Sequence, residues 1–315
     1  MAVCNAAFHP SMPMSLFRLI RLPNLLIVAL TQYLLYLRVV LPVLHHYGVT
    51  PALHERQFLL LVIITLMISA GGYIVNDIVD LRIDLVNKPD RVIVGRHISH
   101  ATAYWLYSCL NLTGFIFAMY LAMVADRVVL LALFPAAVVG LLWYSVQLKK
   151  RPLAGNILVA LYCAGVAALV WLAEQPALAQ LPPEAARSTA RLLGFYAVFA
   201  FLSTLFREII KDLEDAHGDA LGGARTAPVA WGTLTAKAIA TGTGGLLLLA
   251  LALGGHALQA QLYAGGLPFL GLTAGLSCGA LFLLWRATTP RNYYLLSQLA
   301  KVIMLCGLLL LLFFK

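Results

Sequence analysis

The sequence predicts an all-α polytopic membrane protein, with nine transmembrane helices in a single domain that spans residues 1–315. The chain is 62% hydrophobic and only 11% charged, whereas soluble domains typically contain about 25% charged residues. Apolar runs of roughly 20 residues recur along the whole length, and each is long enough to cross a hydrocarbon core of about 30 Å. These observations exclude a soluble protein that merely carries one anchor.

The predicted helices follow the apolar runs in chain order. Their ranges are 22–44, 57–76, 101–123, 128–147, 154–173, 191–211, 236–254, 263–285 and 294–313. Polar and proline-rich breaks separate them, such as 149–152 before the fifth helix and 288–292 before the ninth. We expect no signal peptide, because residues 1–17 lack a basic segment followed by a short apolar core and a small-residue cleavage site. We expect these residues to form a loose tail, because His9, Pro10 and Pro13 interrupt them.

The basic residues predict the orientation of the helices. Most Lys and Arg residues fall on one side if the N-terminus is cytoplasmic, which is the usual topological bias of membrane proteins. We therefore expect an integral protein of the plasma (inner) membrane, with the N-terminus inside and the C-terminus outside. The net charge of +9 lies in short loops between apolar runs, so nucleic acid is not an expected partner and membrane lipids are.

The acidic residues are concentrated in two short stretches. Of thirteen Asp and Glu residues in the chain, nine lie within 77–90 and 208–219. A charged side chain near the centre of a bilayer costs at least a few kcal/mol, so such residues usually mark a functional site. Both stretches fall at the ends of even-numbered predicted helices, the second and the sixth, so both are expected on the same cytoplasmic face.

Each stretch places its carboxylates on one helical face. Asn76, Asp80 and Asp84 are spaced i, i+4, i+8, and Asp77 joins the same face. In the second stretch, Asp212, Asp215 and Asp219 are spaced i, i+3, i+7 and also share one face. A bound cation would relieve the repulsion between these like charges, and carboxylate and amide oxygens suit Mg²⁺. The pattern predicts a paired Mg²⁺ site and a substrate that carries pyrophosphate; the competing interpretation is a set of solvated loop charges.

Basic side chains accompany both acidic stretches. They are Lys88, Arg91, Arg96, Lys149, Lys150, Arg151, Arg207, Lys211 and Arg225. Arg and Lys donors stabilise a departing pyrophosphate, and Arg91, Arg207 and Lys211 are the strongest candidates. The alternative is that these residues only set the topology.

The two motifs resemble those of one family. Asn76-Asp77-x-x-Asp80-x-x-x-Asp84, followed by Asn87-Lys88-Pro89-Asp90-Arg91, resembles the first aspartate motif of the UbiA superfamily of intramembrane prenyltransferases. The stretch from Arg207 to Asp219 is similar to the second motif. Val92 and Ala227 depart from the residues that many members have at these positions, proline and leucine.

The resemblance implies a fold, two cofactor ions and a set of site residues. Nine helices would surround a lipid-accessible central cavity capped by the cytoplasmic motif loops, and two Mg²⁺ ions would bridge the carboxylates to an isoprenyl diphosphate donor. The implied metal ligands are Asn76, Asp80, Asp84, Asp215 and Asp219. The implied catalytic residues are Asp77, Asp212, Lys211 and Arg207. The implied substrate-binding residues are Asn24, Lys88, Arg91, Tyr144, Lys149 and Asn156.

The acceptor is the least determined part of the function. The segment 207–219 resembles members that alkylate a glycerol-phosphate hydroxyl, so a lipophilic acceptor of the geranylgeranylglyceryl phosphate type is the first expectation. An aromatic acceptor (4-hydroxybenzoate, homogentisate, dihydroxynaphthoate or a tetrapyrrole) is the alternative. Two remoter alternatives are a CDP-alcohol phosphotransferase and a cation transporter. The first has a single extended aspartate motif with a DG and AR pair, which is missing here, and the sites of the second tend to lie within broken helices.

Overall fold

The structure is a computed structural model that describes residues 12–87, 89–258 and 262–314. Its α-helices, in chain order, are α1 Met12–Leu19, α2 Leu22–Leu35, α3 Leu41–His46, α4 Glu55–Asn87, α5 His100–Val124, α6 Val128–Val146, α7 Ala154–Leu178, α8 Pro183–Leu221, α9 Ala227–Trp231, α10 Thr233–Leu258, α11 Gly266–Arg286 and α12 Pro290–Leu309. Within these described ranges, nine helical segments are long and apolar enough to cross a membrane. The predicted all-α membrane fold is confirmed.

The two helices that carry the acidic motifs extend well beyond the predicted ranges 57–76 and 191–211. Helix α4 has 33 residues and α8 has 39, so α8 is about 58 Å long and exceeds a hydrocarbon core of about 30 Å. Both helices continue because a buried apolar face runs through the motifs, including Ile78 on α4 and Ile209, Ile210 and Leu213 on α8. The motif residues are therefore helical, and the loops begin after them.

The prediction of a loose tail over residues 1–17 is wrong for residues 12–17. These residues belong to α1, where Pro13 lies in the first turn and removes no helical hydrogen bond. Leu19 at the end of α1 is fully buried with Ile74 and Ile78 of α4, which holds the short helix in place. Residues 1–11 lie outside the described part of the chain.

The first membrane span is a helix with one widened turn. A π-helical segment, Tyr36–Val40, separates α2 from α3. Pro42 lies just beyond it and lacks the N–H that would bond one turn back, which is a known cause of such distortions. Tyr36 stacks on Phe58 of α4 with ring centroids 3.8 Å apart, so the distorted turn is packed against its neighbour.

Helices α4 and α8 are the central elements of the bundle. Helix α4 packs against α5 and α6, whereas α8 packs against α7, α10 and α12. The two helices also contact each other directly, and α2 lies against α4 and α7. The helices with the most acidic residues thus occupy the middle of the fold, where their motif faces are turned towards other helices and not only towards lipid.

Candidate active site

A lysine from outside the two motifs contacts the predicted metal ligands of α4. Lys149 lies in a short 3-10 segment, Leu148–Lys150, between α6 and α7. Its ammonium forms an ion pair with Asp80 and donates to the Asn76 amide oxygen at 3.4 Å. Its side chain is only 12% exposed. One cation therefore already lies against two of the oxygen groups that were predicted to bind metal.

The position of Lys149 depends on a glycine. Gly155, in the first turn of α7, has no side chain at the point where that helix meets the 3-10 segment. A Cβ at this position would lie 2.7 Å from the Cα of Lys149 and 3.1 Å from the ring of Tyr144. The glycine allows the two segments to approach, and this approach places the lysine over α4.

We expect Gly155→Ala to displace Lys149 and to lower turnover about tenfold. The added Cβ would clash with backbone atoms of Lys149, and a change of side-chain rotamer cannot relieve a backbone clash. Overpacking of this kind costs about 1–3 kcal/mol, which a thermal melt in detergent will show together with the rate. Gly165→Ala is the matched control, since it lies on the same helix and its Cβ would meet nothing within 4 Å. Equal behaviour of the two variants would contradict the role given to Gly155.

Asp77 is held by an arginine from the start of α2. The Arg21 guanidinium donates to the Asp77 carboxylate at 2.9 Å and lies 4.8 Å from the centre of the Tyr73 ring. Burial alone would lower the pKa of Arg21, but Asp77 and Tyr73 act in the opposite direction and the pKa is raised overall. Arg21 is therefore a permanent cation, and Asp77, predicted as a catalytic residue, already has a protein partner. Asn24 lies beside the Tyr73 hydroxyl.

Two carboxylates of α8 are held by neighbouring segments. The Asn156 amide of α7 donates to Asp212 at 3.0 Å, and the Thr226 hydroxyl donates to Asp219 at 3.1 Å. Asn156 was predicted to bind substrate, yet it is buried and fixes the orientation of Asp212. Thr226 precedes the short helix α9, so the chain that follows α8 folds back onto the acidic end of that helix.

Deeper along α8, two cations share one buried carboxylate. Glu208 accepts from Arg207 and also from Lys211, the latter at 2.9 Å. The Nε atom of Arg207 is buried and has no hydrogen-bond partner among the described residues. Arg207 and Lys211 were predicted from the sequence, whereas Glu208 was not singled out, although it belongs to the same motif.

The two motif faces meet in one space. Tyr144 of α6 lies close enough to interact electrostatically with Asp80 of α4 and with Glu208 and Asp212 of α8. At the ends of the helices, a Cβ on Gly222 would lie 2.7 Å from Ile83 of α4, so the glycine allows the end of α8 to lie against α4. The arrangement brings together two acidic faces with basic side chains beside both.

Comparison with known proteins decides the family. A model of the UbiA prenyltransferase family matches residues 34–311. This chain belongs to the UbiA prenyltransferase family. A digeranylgeranylglyceryl phosphate synthase of Methanoculleus marisnigri is 37% identical over 171 residues, which are 54% of this chain and 56% of that protein. The chain thus matches little more than half the length of this curated relative.

Solved structures of UbiA proteins share the fold. A structure of a digeranylgeranylglyceryl phosphate synthase superposes with a TM-score of 0.65 at 21% identity, covering 96% of this chain and 98% of the other. A UbiA homolog from Archaeoglobus fulgidus, solved with GPP and Mg²⁺, superposes with a TM-score of 0.55 at 14% identity, covering 94% of this chain and 99% of that one. The family predicted from the two motifs is confirmed, and so is the fold.

The oxygen donors of this UbiA protein suit Mg²⁺. In the part of the chain that the structure describes, no three His, Cys, Asp or Glu side chains converge as a ready-made metal site. Mg²⁺ does not need one, because it usually binds through one or two carboxylates and completes its shell with water and substrate phosphates. The contact of the Lys149 ammonium with Asp80 and Asn76 shows that this position accepts a cation.

Two predicted substrate-binding residues lie beyond what the structure describes. Lys88 lies outside the described residues, as does the side chain of Arg91, whose backbone belongs to the 3-10 segment Pro89–Arg91. The sequence singled out Arg21 only as part of the family-like pattern Arg21-x-x-Asn24, and it gave Lys301 no role in the site. Lys301 interacts electrostatically with Arg207 and Lys211, and the available signal was a lysine inside an otherwise apolar run.

Proposed function

We propose that this UbiA-family chain transfers an isoprenyl group from a prenyl diphosphate to the hydroxyl of a glyceryl phosphate lipid within the membrane. The observation that carries the proposal is the meeting of two acidic helical faces, on α4 and α8, beside Lys149 and Lys211. A diphosphate needs both metal ions and basic donors, and this space offers ligands for both. The curated relative named above, a digeranylgeranylglyceryl phosphate synthase, supports the glyceryl phosphate acceptor.

The proposed metal ligands divide between the two helices. Asp80 and Asp84 with the amide of Asn76 would hold Mg²⁺ from α4, and Asp215 and Asp219 would hold it from α8. Bound in this way, Mg²⁺ would neutralise charge on the diphosphate. The Mg²⁺-bound family member from Archaeoglobus fulgidus supports this assignment.

The basic side chains have the task of holding the diphosphate as it departs. In the reaction, the C–O bond between the allylic carbon and the diphosphate breaks, and its electron pair leaves with the diphosphate. The acceptor hydroxyl oxygen forms the new C–O bond to that carbon, and its proton passes to the departing diphosphate. Lys149, which already contacts Asp80, would donate to it from the α4 side, and Lys211 would donate from the α8 side. Arg21 and Asn156 would keep Asp77 and Asp212 in place.

The membrane location follows from the substrates. The chain is an integral membrane protein with nine apolar helices in its described ranges. Lipophilic donors and acceptors dissolve in the membrane and can enter directly between the helices. A lipid-accessible cavity, lined by apolar and aromatic side chains, would exclude water from the allylic centre. We further propose that the acidic ends of α4 and α8 face the cytoplasm of a plasma (inner) membrane. Alkaline phosphatase, which needs disulfides and is active only outside the cytoplasm, is expected to be active when fused after Lys315. An inactive fusion that is nevertheless expressed would contradict this topology.

An acceptor panel tests the proposed reaction. Purified protein is incubated with geranylgeranyl diphosphate, Mg²⁺ and either geranylgeranylglyceryl phosphate or an aromatic acceptor such as 4-hydroxybenzoate. We expect an ether product with the glyceryl phosphate lipid, detected by mass spectrometry, and no product when Mg²⁺ is chelated. Product with the aromatic acceptor alone would overturn the acceptor assignment but leave the prenyl transfer in place.

A further inference from the structure

Lys301 is a cation deep inside a membrane span. It lies eleven residues beyond Pro290, where α12 begins, which corresponds to a depth of about 16 Å along the helix. A lysine near the end of a span can extend its ammonium to the interface, but this distance is too great. Burying such a charge is costly, and lysines in this situation face a protein interior or an aqueous cavity and mark function.

The surroundings of Lys301 are mainly cationic. Helix α12 packs against α8, and Gly307 of α12 lies directly against the ring of Phe199 of α8. Lys301 is six residues before Gly307, so it lies at the level of the part of α8 that carries Arg207. The charged groups that act on it are Arg207, Lys211, Glu208 and Arg21. The ammonium of Lys301 has neither a hydrogen bond nor an ion pair within residues 12–87, 89–258 and 262–314. The ammonium is therefore available to contact a bound anion.

The neighbouring carboxylates are already engaged. Glu208 is shared between Arg207 and Lys211. Asp77 is paired with Arg21, and Asp212, which also acts on Lys211, accepts from Asn156. The buried Nε of Arg207 has no partner in the described structure. Positive charge therefore exceeds negative charge here, and two donors, on Lys301 and Arg207, are available to an anion.

Arg207 lies deeper along α8 than the proposed metal ligands of that helix. Arg207 lies eight residues before Asp215 on α8, so it is about 12 Å deeper along the helix axis. The acidic residues occupy the end of α8, whereas the two basic residues, Arg207 and Lys301, lie further inside the membrane span. A diphosphate held by Asp215 and Asp219 has Lys211 as its donor on α8, which leaves Arg207 and Lys301 without an assigned ligand.

We propose that Lys301 and Arg207 bind the phosphate group of the acceptor, an inference that rests on the proposed function. A phosphate monoester carries a charge of about −1.5 to −2 at neutral pH, which two cations match. One glycerol unit separates its phosphorus from the hydroxyl that attacks the allylic carbon. With bonds of about 1.5 Å, this separation is roughly 5 Å. Binding the phosphate at this depth places the hydroxyl between these two cations and the metal ligands, where the departing diphosphate exposes that carbon.

The same contact explains how this site would select its acceptor. An acceptor without a phosphate leaves Lys301 and Arg207 unpaired in a buried position, and unpaired buried polar groups give the strongest discrimination between substrates. Lys301 is thus a specificity-determining residue for an anionic acceptor and makes no contribution to donor binding.

The test compares two acceptors that differ only in the phosphate. Turnover is measured with geranylgeranylglyceryl phosphate and with geranylgeranylglycerol, for the wild type and for Lys301→Met and Lys301→Arg. We expect Lys301→Met to raise the KM for the phosphorylated acceptor at least tenfold and to remove most of the preference over the dephosphorylated one. The KM for geranylgeranyl diphosphate stays within about threefold, and Lys301→Arg retains the preference because a charged donor to phosphate is kept.

Each outcome of this comparison has a defined meaning. An equal loss with both acceptors, or a raised KM for the donor, overturns the phosphate assignment of Lys301 while the prenyl transfer stands. A wild type that uses neither glycerol lipid overturns the proposed acceptor and the assignment with it. Arg286→Ala is the control, because it removes an exposed cation that stacks on Phe282 at the end of α11; thermal melts in detergent verify that each variant is folded.

Discussion

Asp80→Ala and Asp215→Ala are each expected to lower prenyl transfer about a thousandfold, the size of effect seen when one electrostatic contact to a developing charge is removed. Each variant deletes one carboxylate from one of the two helices that face the shared space around Tyr144. If both helices hold Mg²⁺ against the same diphosphate, neither helix alone is sufficient. The double variant is therefore expected to be little worse than either single variant, since residues that act as one unit are not additive.

The measurement is the rate of product formation at saturating geranylgeranyl diphosphate and Mg²⁺, with Asp80→Asn and Asp215→Asn as variants of unchanged size. Glu184→Ala is the matched control, because its side chain is 90% exposed and its contact with Arg187 lies at the far end of α8. Near-normal turnover in either of the two aspartate variants would overturn the assignment of that residue. A thermal melt of each protein separates loss of chemistry from loss of fold.

The acidic faces could be predicted because they depend on spacing along a single helix. Asp80 and Asp84 repeat at i, i+4, and Asp212 and Asp215 repeat at i, i+3, so their shared faces follow from the helical period alone. The position of both motifs at the ends of apolar runs then indicated that they lie on one side of the membrane. The structure adds that α4 and α8 continue through the motifs as helices.

Contacts between distant segments could not be predicted in the same way. Lys149 reaches Asp80 across 69 residues and Arg21 reaches Asp77 across 56, and both contacts depend on how helices pack. The first also requires the close approach permitted by Gly155, and the second requires Arg21 to adopt a left-handed backbone conformation, φ 51°, before α2 begins. No local pattern in the sequence specifies which of its many basic residues makes such a contact.

Lys301 shows how a topological signal and a chemical signal differ. Basic residues in the loops have two explanations, because the positive-inside bias alone would place them there. A lysine in the middle of α12 has no topological explanation, so its charge indicates chemistry more directly than that of Lys150 or Arg151. The lysine within an apolar run is visible in the sequence. The packing of α12 against α8 adds which residues surround it.

Lys149→Gln is expected to change Mg²⁺ binding and turnover in opposite directions. Without substrate, the Lys149 ammonium pairs with Asp80 and contacts Asn76, so an incoming Mg²⁺ has to displace it. Removing the ammonium relieves this competition, and a gain of about 1.4 kcal/mol corresponds to roughly tenfold tighter binding. With the donor present, the variant lacks one charged contact to the departing diphosphate, and turnover is expected to fall about a hundredfold.

The opposite signs make this prediction specific to the site. Mg²⁺ binding is measured without donor, as the rise in Tm with Mg²⁺ concentration, because a ligand that binds the folded state stabilises it by an amount that grows with the ratio of its concentration to its Kd. A variant that is merely misfolded would bind Mg²⁺ less tightly and also turn over more slowly. Lys150→Gln removes the neighbouring exposed cation and is expected to change neither quantity by more than about twofold, the scale of a surface charge. If Lys149→Gln weakens Mg²⁺ binding, the ammonium does not compete with the metal for Asp80. The contact between Lys149 and Asp80 then has a structural role, and the proposed competition is wrong.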